Sequence, residues 1–165
     1  MTRLLTTIIA LLSFNTAAYA TSNEVMLDMI EFIEQNSKYE YNGERLPYIQ
    51  IRTNDELCRS IFEPEVYERV KEDCTVAGYY DHNTNAIFIA DTPSKYMVAE
   101  GFIEIVLLHE LVHFLQLMNG EYDKVACKNE LEADAYILQR KYVDHMGYPE
   151  EQKPDPLFAM ITSSC

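Results

Sequence analysis

Positive charge is scarce in this sequence. Of its 165 residues only 13 are Lys or Arg, against 27 Asp or Glu, and the formal net charge is −14. A chain with this charge repels polyanions, so nucleic-acid binding through phosphates is not expected, and acidic membrane surfaces are disfavoured for the same reason. Glycine and proline are also few, at 5 and 6 residues, whereas 48% of the residues are hydrophobic. This composition excludes collagen-like, low-complexity and disordered proteins and is typical of a globular domain.

A long hydrophobic run is also missing. The nearest candidate, Phe102–Met118, is interrupted by histidine, glutamate and glutamine residues, whereas a membrane-spanning helix needs about 20 mostly apolar residues. Linkers, internal repeats and charge blocks that would divide the chain are not found either. We therefore expect a single domain over residues 21–165, with no membrane attachment once the preceding segment is removed.

The first 20 residues have the features of a secretory signal peptide. Arg3 provides the positive start, residues 4–12 form a short apolar core, and Ala18-Tyr19-Ala20 is a small-x-small cleavage site. We expect cleavage after Ala20 and export to the periplasm or the medium. A membrane anchor is the alternative, but the apolar core is too short to span a bilayer.

No Cys-x-x-Cys pair is present, which makes a cysteine-ligated zinc site unlikely to be found here. In an exported protein, four cysteines favour two disulfides, and three pairings are possible. We favour Cys58–Cys74, which closes a short loop, and Cys127–Cys165, which ties the C-terminal tail to a helix. Free buried thiols are the alternative.

The hydrophobic pattern predicts a small α+β domain. Helical spacing indicates a helix over residues 23–35, alternation indicates a strand over residues 46–52, and residues 55–71 form a polar stretch compatible with helix. Two apolar runs, residues 76–80 and 86–90, flank a cluster of turn formers and predict a hairpin. We expect an N-terminal helix and a mixed sheet of three to four strands, with the hairpin at its edge, packed on two later helices.

The two later helices are marked by start and stop signals. Thr92 followed by Pro93 predicts the start of a long helix that ends at Met118, before Asn119-Gly120. Its second half is apolar almost all round, which indicates burial inside the domain. The other helix is predicted from about Lys124 to His145, with Gly147 as its stop.

The long helix contains His109-Glu110-Leu111-Val112-His113, an H-E-x-x-H pattern. Residues four apart project from one face of a helix, so both imidazoles can bind a single zinc ion. Glu110 is rotated away from that face, yet it remains close enough to accept a proton from water. Two core histidines bonded to backbone or carboxylate groups are the alternative interpretation.

A third ligand must come from elsewhere in the chain. Glu130 and Asp134 lie one turn apart on the predicted second helix and are the first candidates. Glu132 is turned to another side of that helix and fits a solvated acidic face better. Glu121 and Asp123, in the turn between the helices, are weaker candidates.

Together, His109-Glu110-Leu111-Val112-His113 and Asn129-Glu130-Leu131-Glu132-Ala133-Asp134 resemble the H-E-x-x-H plus N-E-x-x-A/S-D motifs of the gluzincin metallopeptidases, typified by thermolysin. The resemblance implies a zincin-like fold, Zn²⁺ bound by His109, His113 and Glu130, and Glu110 as general base. It also implies that Asp134 accepts a hydrogen bond from Nδ1 of a ligand histidine, His109 first. An edge strand at residues 85–89 would pair with an extended peptide or protein substrate. The run from His109 to Gln116 is also similar to small exported bacterial proteins grouped with the metallopeptidases.

The chain departs from that family in several respects. The spacing between the second histidine and the glutamate is shorter than in thermolysin, and too little sequence follows the second helix for the domain that supplies a transition-state-stabilising histidine. The residue that supplies the oxyanion donor is therefore open. Five residues are candidates, although residues of these types more often have ordinary structural roles: His82, Tyr79, Tyr80, Tyr136 and Tyr142. His145 fits a role at a helix C-terminus, and Gln116 fits that of a satisfied buried polar group.

The sequence thus favours a zinc-dependent hydrolase, with a peptidase as the first expectation. A non-catalytic binding module or pseudoenzyme, in which zinc only joins two helices, is the second hypothesis. A structural domain with a coincidental motif is the third. The substrate and the oligomeric state stay open at this point.

Overall fold

The computed structural model describes residues 9–92 and 101–165, and within them it shows an α+β domain. The predicted fold class is confirmed. Its elements in chain order are α1 (Ile9–Asn36), β1 (Tyr48–Arg52), α2 (Asn54–Ile61), α3 (Pro64–Val70), β2 (Gly78–Asp81), β3 (Ala86–Ala90), α4 (Phe102–Met118), α5 (Glu132–Met146) and α6 (Pro156–Thr162). Short 3-10 turns lie at Glu121–Asp123, Lys128–Leu131 and Glu150–Gln152.

The three strands form one mixed sheet in the order β1-β3-β2. β1 is parallel to β3, with Tyr48 opposite Ala86, and β2 is antiparallel to β3, with Tyr80 opposite Ile87. The predicted hairpin is therefore confirmed, but the expectation that residues 85–89 form the free edge is wrong. β3 is hydrogen-bonded on both sides, to β1 and to β2, and its residues are apolar on both faces, a pattern typical of a central strand. The edge strand of the hairpin is β2.

Helix α4 is the centre of the domain. Every residue from Ile105 to Gln116 is buried, because one side of the helix packs on β2 and β3 while the others pack on α1 and α5. The prediction of a buried helix is confirmed for this stretch. The predicted start at Thr92-Pro93 falls mostly on residues 93–100, which lie outside the described ranges. As described, α4 begins after Gly101, whose φ of 69° is in the left-handed region that glycine tolerates best.

Local sequence accounts for several helix ends. Thr53 and Glu56 form a capping box at the start of α2, since each side chain bonds the backbone N–H of the other. Gly147, with φ 71°, ends α5 and lets two backbone N–H groups reach carbonyls of its last turn. These local signals place the start of α2 and the end of α5.

Both favoured disulfides are confirmed. Cys58 of α2 is bonded to Cys74, and Cys127 is bonded to Cys165 after α6. The second bond ties the C-terminal tail to the 3-10 turn just before α5. Residues 1–8 of the predicted signal peptide lie outside the described ranges, and α1 continues through the expected cleavage point at Ala20. Within the described ranges, no helix has both the length and the apolar character needed to cross a membrane.

Candidate metal centre

Helix α4 presents His109 and His113 on one face, as their spacing predicts. Both side chains are mostly buried, with 9% of each residue exposed. Their ring centroids are 4.9 Å apart, and the two Nε2 atoms are 3.1 Å apart. The two rings therefore direct the same nitrogen to one point, as two ligands of one ion would.

A carboxylate from α5 meets both rings at that point. Oε2 of Glu132 lies 3.1 Å from Nε2 of His109, and Oε1 lies 3.2 Å from Nε2 of His113. A tetrahedral zinc ion with bonds of about 2.0–2.1 Å separates its ligand atoms by roughly 3.3–3.4 Å. The three side chains therefore match zinc in both chemistry and spacing. Across the described residues they form a cluster whose ligand atoms lie within 4.8 Å of one another.

Glu130 does not join this cluster, and the expectation that it meets the two imidazoles is corrected. The sequence pattern assumed one continuous helix from Lys124, but residues 128–131 form a 3-10 turn and α5 begins at Glu132. A 3-10 turn has three residues per turn instead of 3.6, so it changes which side chains face α4. Glu130 is instead exposed, with Oε1 3.2 Å from Sγ of Cys165. Because that sulfur and Cys127 are joined in a disulfide, they are not thiolate ligands for a metal.

Asp134 also lies elsewhere than expected. Its carboxylate accepts a hydrogen bond from the hydroxyl of Tyr39, in the segment after α1. The Nδ1 atoms of the two histidines face glutamine side chains instead. Gln139 Oε1 is 2.9 Å from Nδ1 of His109, and Gln116 Oε1 is 2.8 Å from Nδ1 of His113.

Glu110 is buried beside the cluster, with 5% of the residue exposed. Burial raises the pKa of its carboxyl group, and the nearby rings of His109 and His113 oppose that rise. A backbone interaction with Tyr80 of β2 also opposes the rise. Strand β2 and the two rings thus flank Glu110 at the side of the cluster, the position expected of a proton acceptor.

The electrostatics of the cluster favour a positive charge on His113 and a negative charge on Glu132. Burial lowers the pKa of His113, but the hydrogen bond to Glu132 and the charges of Glu110 and Glu132 outweigh it and raise this pKa to about 9. Burial likewise raises the pKa of Glu132, but hydrogen bonds from His109 and His113 hold it far below its usual range. Glu132 is thus an ionised carboxylate facing the rings.

A cavity of about 1000 Å³ opens onto the cluster. Strand β2 forms one wall and the segment around residues 151–155 forms another. Ala77 and Ala90 are directly opposite and hydrogen-bonded, because the N–H of Ala90 donates to the carbonyl of Ala77. Hydrogen-bonded and non-bonded pairs alternate along antiparallel strands, so the N–H and carbonyl groups of Gly78 and Tyr80 point away from β3. An additional Cβ at Gly78 would lie 2.6 Å from Cγ1 of Val106 and 3.5 Å from Oε1 of Glu110, which shows how closely β2 approaches α4.

Four of the five candidates for an oxyanion donor line the cavity. His82 and Tyr136 line the cavity, and so do Tyr79 and Tyr80. The hydroxyls of Tyr79 and Tyr80, however, already donate to Ser60 and Asn85.

Other polar residues considered from the sequence have structural partners. Tyr142 and His145 pack against the ring of Phe32, away from the cavity lining. Glu121 forms ion pairs with Lys38 and Lys124. Asp123 is exposed.

Sequence reasoning missed Gln139 and Tyr122 and wrongly assigned Glu132 to a solvated face. Glu132, Tyr136 and Gln139 are spaced i, i+4, i+7 on α5, and this polar stripe could have identified the face that meets α4. The ring of Tyr136 packs edge-on to His109 at 4.8 Å. Tyr122 also lines the cavity, where burial and the charges of Glu110 and Glu132 raise its pKa to about 12.

Fold and site together define a class of protein: an α+β domain with a buried cluster of two histidines and a glutamate at the base of an open cavity. The chain belongs to the family described as Domain of unknown function (DUF6647), whose sequence model matches residues 18–164. Neither the curated proteins nor the solved structures contain a match to this chain. The function must therefore be inferred from the chemistry of the site.

Proposed function

We propose that this protein is a zinc-dependent hydrolase that cleaves peptides. The observation that carries the proposal is the convergence of His109, His113 and Glu132 within 3.2 Å of one another, beside the buried carboxyl group of Glu110. Two imidazoles and one carboxylate leave a fourth position open, as catalytic zinc sites do. The resemblance to gluzincin peptidases supports the same chemistry, with Glu132 in place of Glu130 as the acidic ligand.

The contacts of His113 and Glu132 require a positive charge between them, which a metal ion can supply. Nε2 of Gln116 donates to the carbonyl of Leu131, so its Oε1 faces His113, and Nδ1 of His113 must then be the N–H donor. A neutral His113 therefore has an unprotonated Nε2, and this atom faces the carboxylate of Glu132. Two acceptors at 3.2 Å repel each other, so a positive charge must lie between them. Without metal, a proton on His113 supplies that charge, since the pKa of this ring is raised to about 9, and a bound zinc ion would take its place.

Each residue of the site then has a distinct role. When bound, zinc supplies Lewis acidity, which polarises a carbonyl group and lowers the pKa of water towards about 7. Glu110 accepts the proton from the attacking water and returns it to the leaving amine, which its raised pKa favours. His109, His113 and Glu132 would hold the zinc ion, and Gly78 of β2 packs closely against Glu110.

Among the described strands β2 lies at an edge of the sheet, and this edge supports a peptide as the substrate. Gly78 turns its N–H and carbonyl groups away from β3 along the wall of the cavity. An extended peptide that pairs with this edge would form main-chain hydrogen bonds independent of its sequence. Its carbonyl groups would then pass beside Glu110, whose Oε1 lies close to Gly78.

A non-catalytic zinc module is the second candidate. The cluster joins α4 to α5, so zinc bound there would also hold the two helices together. The hydroxyls of Tyr79 and Tyr80 are committed to other partners, which weakens the case for a strong oxyanion donor. This candidate predicts zinc binding without turnover.

Metal analysis and one substitution test the proposal. The mature, oxidised protein should bind close to one equivalent of zinc, and it should cleave members of a peptide library. Glu110→Gln should retain zinc and lose at least about 100-fold in rate, because it removes the proton acceptor. Less than half an equivalent of zinc would overturn both candidates. Zinc binding without cleavage by the wild type, or cleavage that survives Glu110→Gln, would overturn the hydrolase with Glu110 as base.

A further inference from the structure

The two histidines of the cluster share an unusual kind of partner. Each Nδ1 faces a side-chain amide oxygen, at 2.9 Å for Gln139 and 2.8 Å for Gln116. Both glutamines are buried, with 6% and 0% of the residue exposed. Buried amides are costly unless they are hydrogen-bonded, so these contacts account for the presence of both side chains in the core.

Gln116 has a second set of contacts. Its Nε2 donates to the carbonyl of Leu131 at 2.8 Å and lies 3.3 Å from the hydroxyl of Tyr39. Leu131 is the last residue of the 3-10 turn that immediately precedes Glu132. A single amide group therefore contacts the ring of His113 and the backbone next to Glu132.

We propose that Gln139 and Gln116 are positioning residues for the metal, and that Gln116 also sets the place of Glu132 relative to His113. The inference rests on the proposed zinc site. By accepting from Nδ1, each amide selects the tautomer that leaves Nε2 free to bind the metal. Through Leu131, Gln116 fixes where the helix that bears Glu132 begins.

The amide partners of the two rings are electrically neutral. Metal-bound histidines often donate to a carboxylate, which increases the basicity of the ring. Here Glu110 and Glu132 already place two carboxyl groups near the rings. Amide oxygens orient the imidazoles without adding a third negative charge to a buried cluster.

Four variants separate the two roles. Gln139→Leu removes the acceptor for His109, whereas Gln139→Glu keeps an acceptor in the same place. Gln116→Leu removes both sets of contacts, whereas Gln116→Glu keeps an acceptor for His113 but loses the N–H donor to Leu131. Gln35→Leu, an exposed glutamine on α1 that bonds Glu31, is the control.

The measurement is the dissociation constant for zinc, by competition with a chelator, together with the absorption spectrum of the cobalt-substituted protein. Gln139→Leu and Gln116→Leu should each weaken zinc binding about 10–100-fold. Gln139→Glu should stay within about threefold of the wild type, because it keeps the acceptor for His109. Gln116→Glu should weaken binding at least tenfold, because it loses the donor to Leu131. The cobalt spectrum should change in the variants that weaken binding and remain unchanged in Gln35→Leu.

The outcomes distinguish this inference from the proposed function. If the wild type binds no zinc, both are overturned. If the wild type binds zinc but Gln139→Leu and Gln116→Leu bind it within about threefold of the wild type, only the positioning role is overturned. If Gln116→Leu does not fold, the zinc affinities of Gln139→Leu and Gln139→Glu test whether the amide orients the ring, and equal affinities would overturn that role. Equal zinc affinity in Gln116→Glu and the wild type would overturn the role of the contact with Leu131.

Discussion

At the residue scale, the identity of the acidic ligand is decided by a difference of two positions. Glu130 and Glu132 are chemically identical and close in sequence, yet only Glu132 contacts the rings of His109 and His113. Glu130 is exposed beside the disulfide. The two glutamates therefore form a natural pair of test and control.

We predict that Glu132→Gln weakens zinc binding at least about 100-fold, because an amide oxygen is a neutral and poorer ligand than a carboxylate. Glu130→Gln should leave the dissociation constant within about threefold. Zinc titration of the two variants under the same conditions measures the difference. A larger loss in Glu130→Gln than in Glu132→Gln would show that the acidic ligand has been wrongly assigned.

At the element scale, the start of α5 depends on a covalent bond. The disulfide between Cys127 and Cys165 lies just before the 3-10 turn that precedes Glu132. Asn129 in the same turn also donates to the carbonyl of Ser164. The C-terminal tail thus holds the segment that delivers the acidic ligand.

We predict that Cys127→Ser with Cys165→Ser lowers the free energy of unfolding by about 2–4 kcal/mol and also weakens zinc binding. Cys58→Ser with Cys74→Ser should lower stability by a similar amount and leave zinc affinity unchanged, because that disulfide joins α2 to the segment after α3. Denaturant unfolding and zinc titration of both double variants make the comparison. An equal effect of the two pairs on zinc affinity would contradict the prediction.

An ion-pair cluster joins the turn after α4 to the segment after α1. Glu121 is mostly buried and contacts Lys124 at 2.8 Å and Lys38 at 2.6 Å. These hydrogen bonds hold the pKa of Glu121 below its usual value. Since its pKa is lower in the folded chain, Glu121 stabilises the fold above the unfolded pKa of about 4.5, and this contribution is lost as the pH falls through the folded value.

We therefore predict that Glu121→Gln lowers the free energy of unfolding by about 1 kcal/mol at pH 7, a modest amount because both lysines are exposed. The difference from the wild type should shrink steadily as the pH falls below about 4. Urea unfolding across this pH range provides the measurement, with Glu68→Gln, in an exposed pair with Lys71, as the control. A difference that grows towards acid pH would refute the assignment.

At the scale of the whole molecule, the two disulfides and the signal-like N-terminal sequence are consistent with export. From Asn23 onward, where burial along α1 is described, the buried residues of the helix are Met26, Met29, Ile30 and Ile33. All four lie after Ala20, so cleavage there would leave this part of the core intact.

We predict that the chain, produced with its first 20 residues in an exporting host, is recovered outside the cytoplasm with Thr21 as its N-terminus. Mass spectrometry of the purified protein checks the site of cleavage. A chain that lacks residues 1–20 should remain in the cytoplasm with reduced cysteines. Recovery of the uncleaved protein in the exported fraction would contradict the assignment of a signal peptide.

Much of the fold follows from local patterns. The hydrophobic periodicity of residues 23–35 predicts the buried face of α1, and the turn formers between residues 81 and 85 predict the hairpin of β2 and β3. Strand order does not follow from such patterns, because pairing depends on residues distant in sequence. The parallel contact between Tyr48 and Ala86 makes β3 central and leaves β2 at the edge.

The sequence by itself determined the pair His109 and His113 and the neighbouring Glu110, because spacing of four within one helix is a local geometric property. Only the tertiary structure decided that Glu132, with Gln139 and Gln116 behind the rings, completes the cluster. The physical reason is the phase of α5. A 3-10 turn, held by a disulfide to the C-terminal tail and by Gln116 to α4, ends at Leu131 and rotates Glu132 towards the histidines.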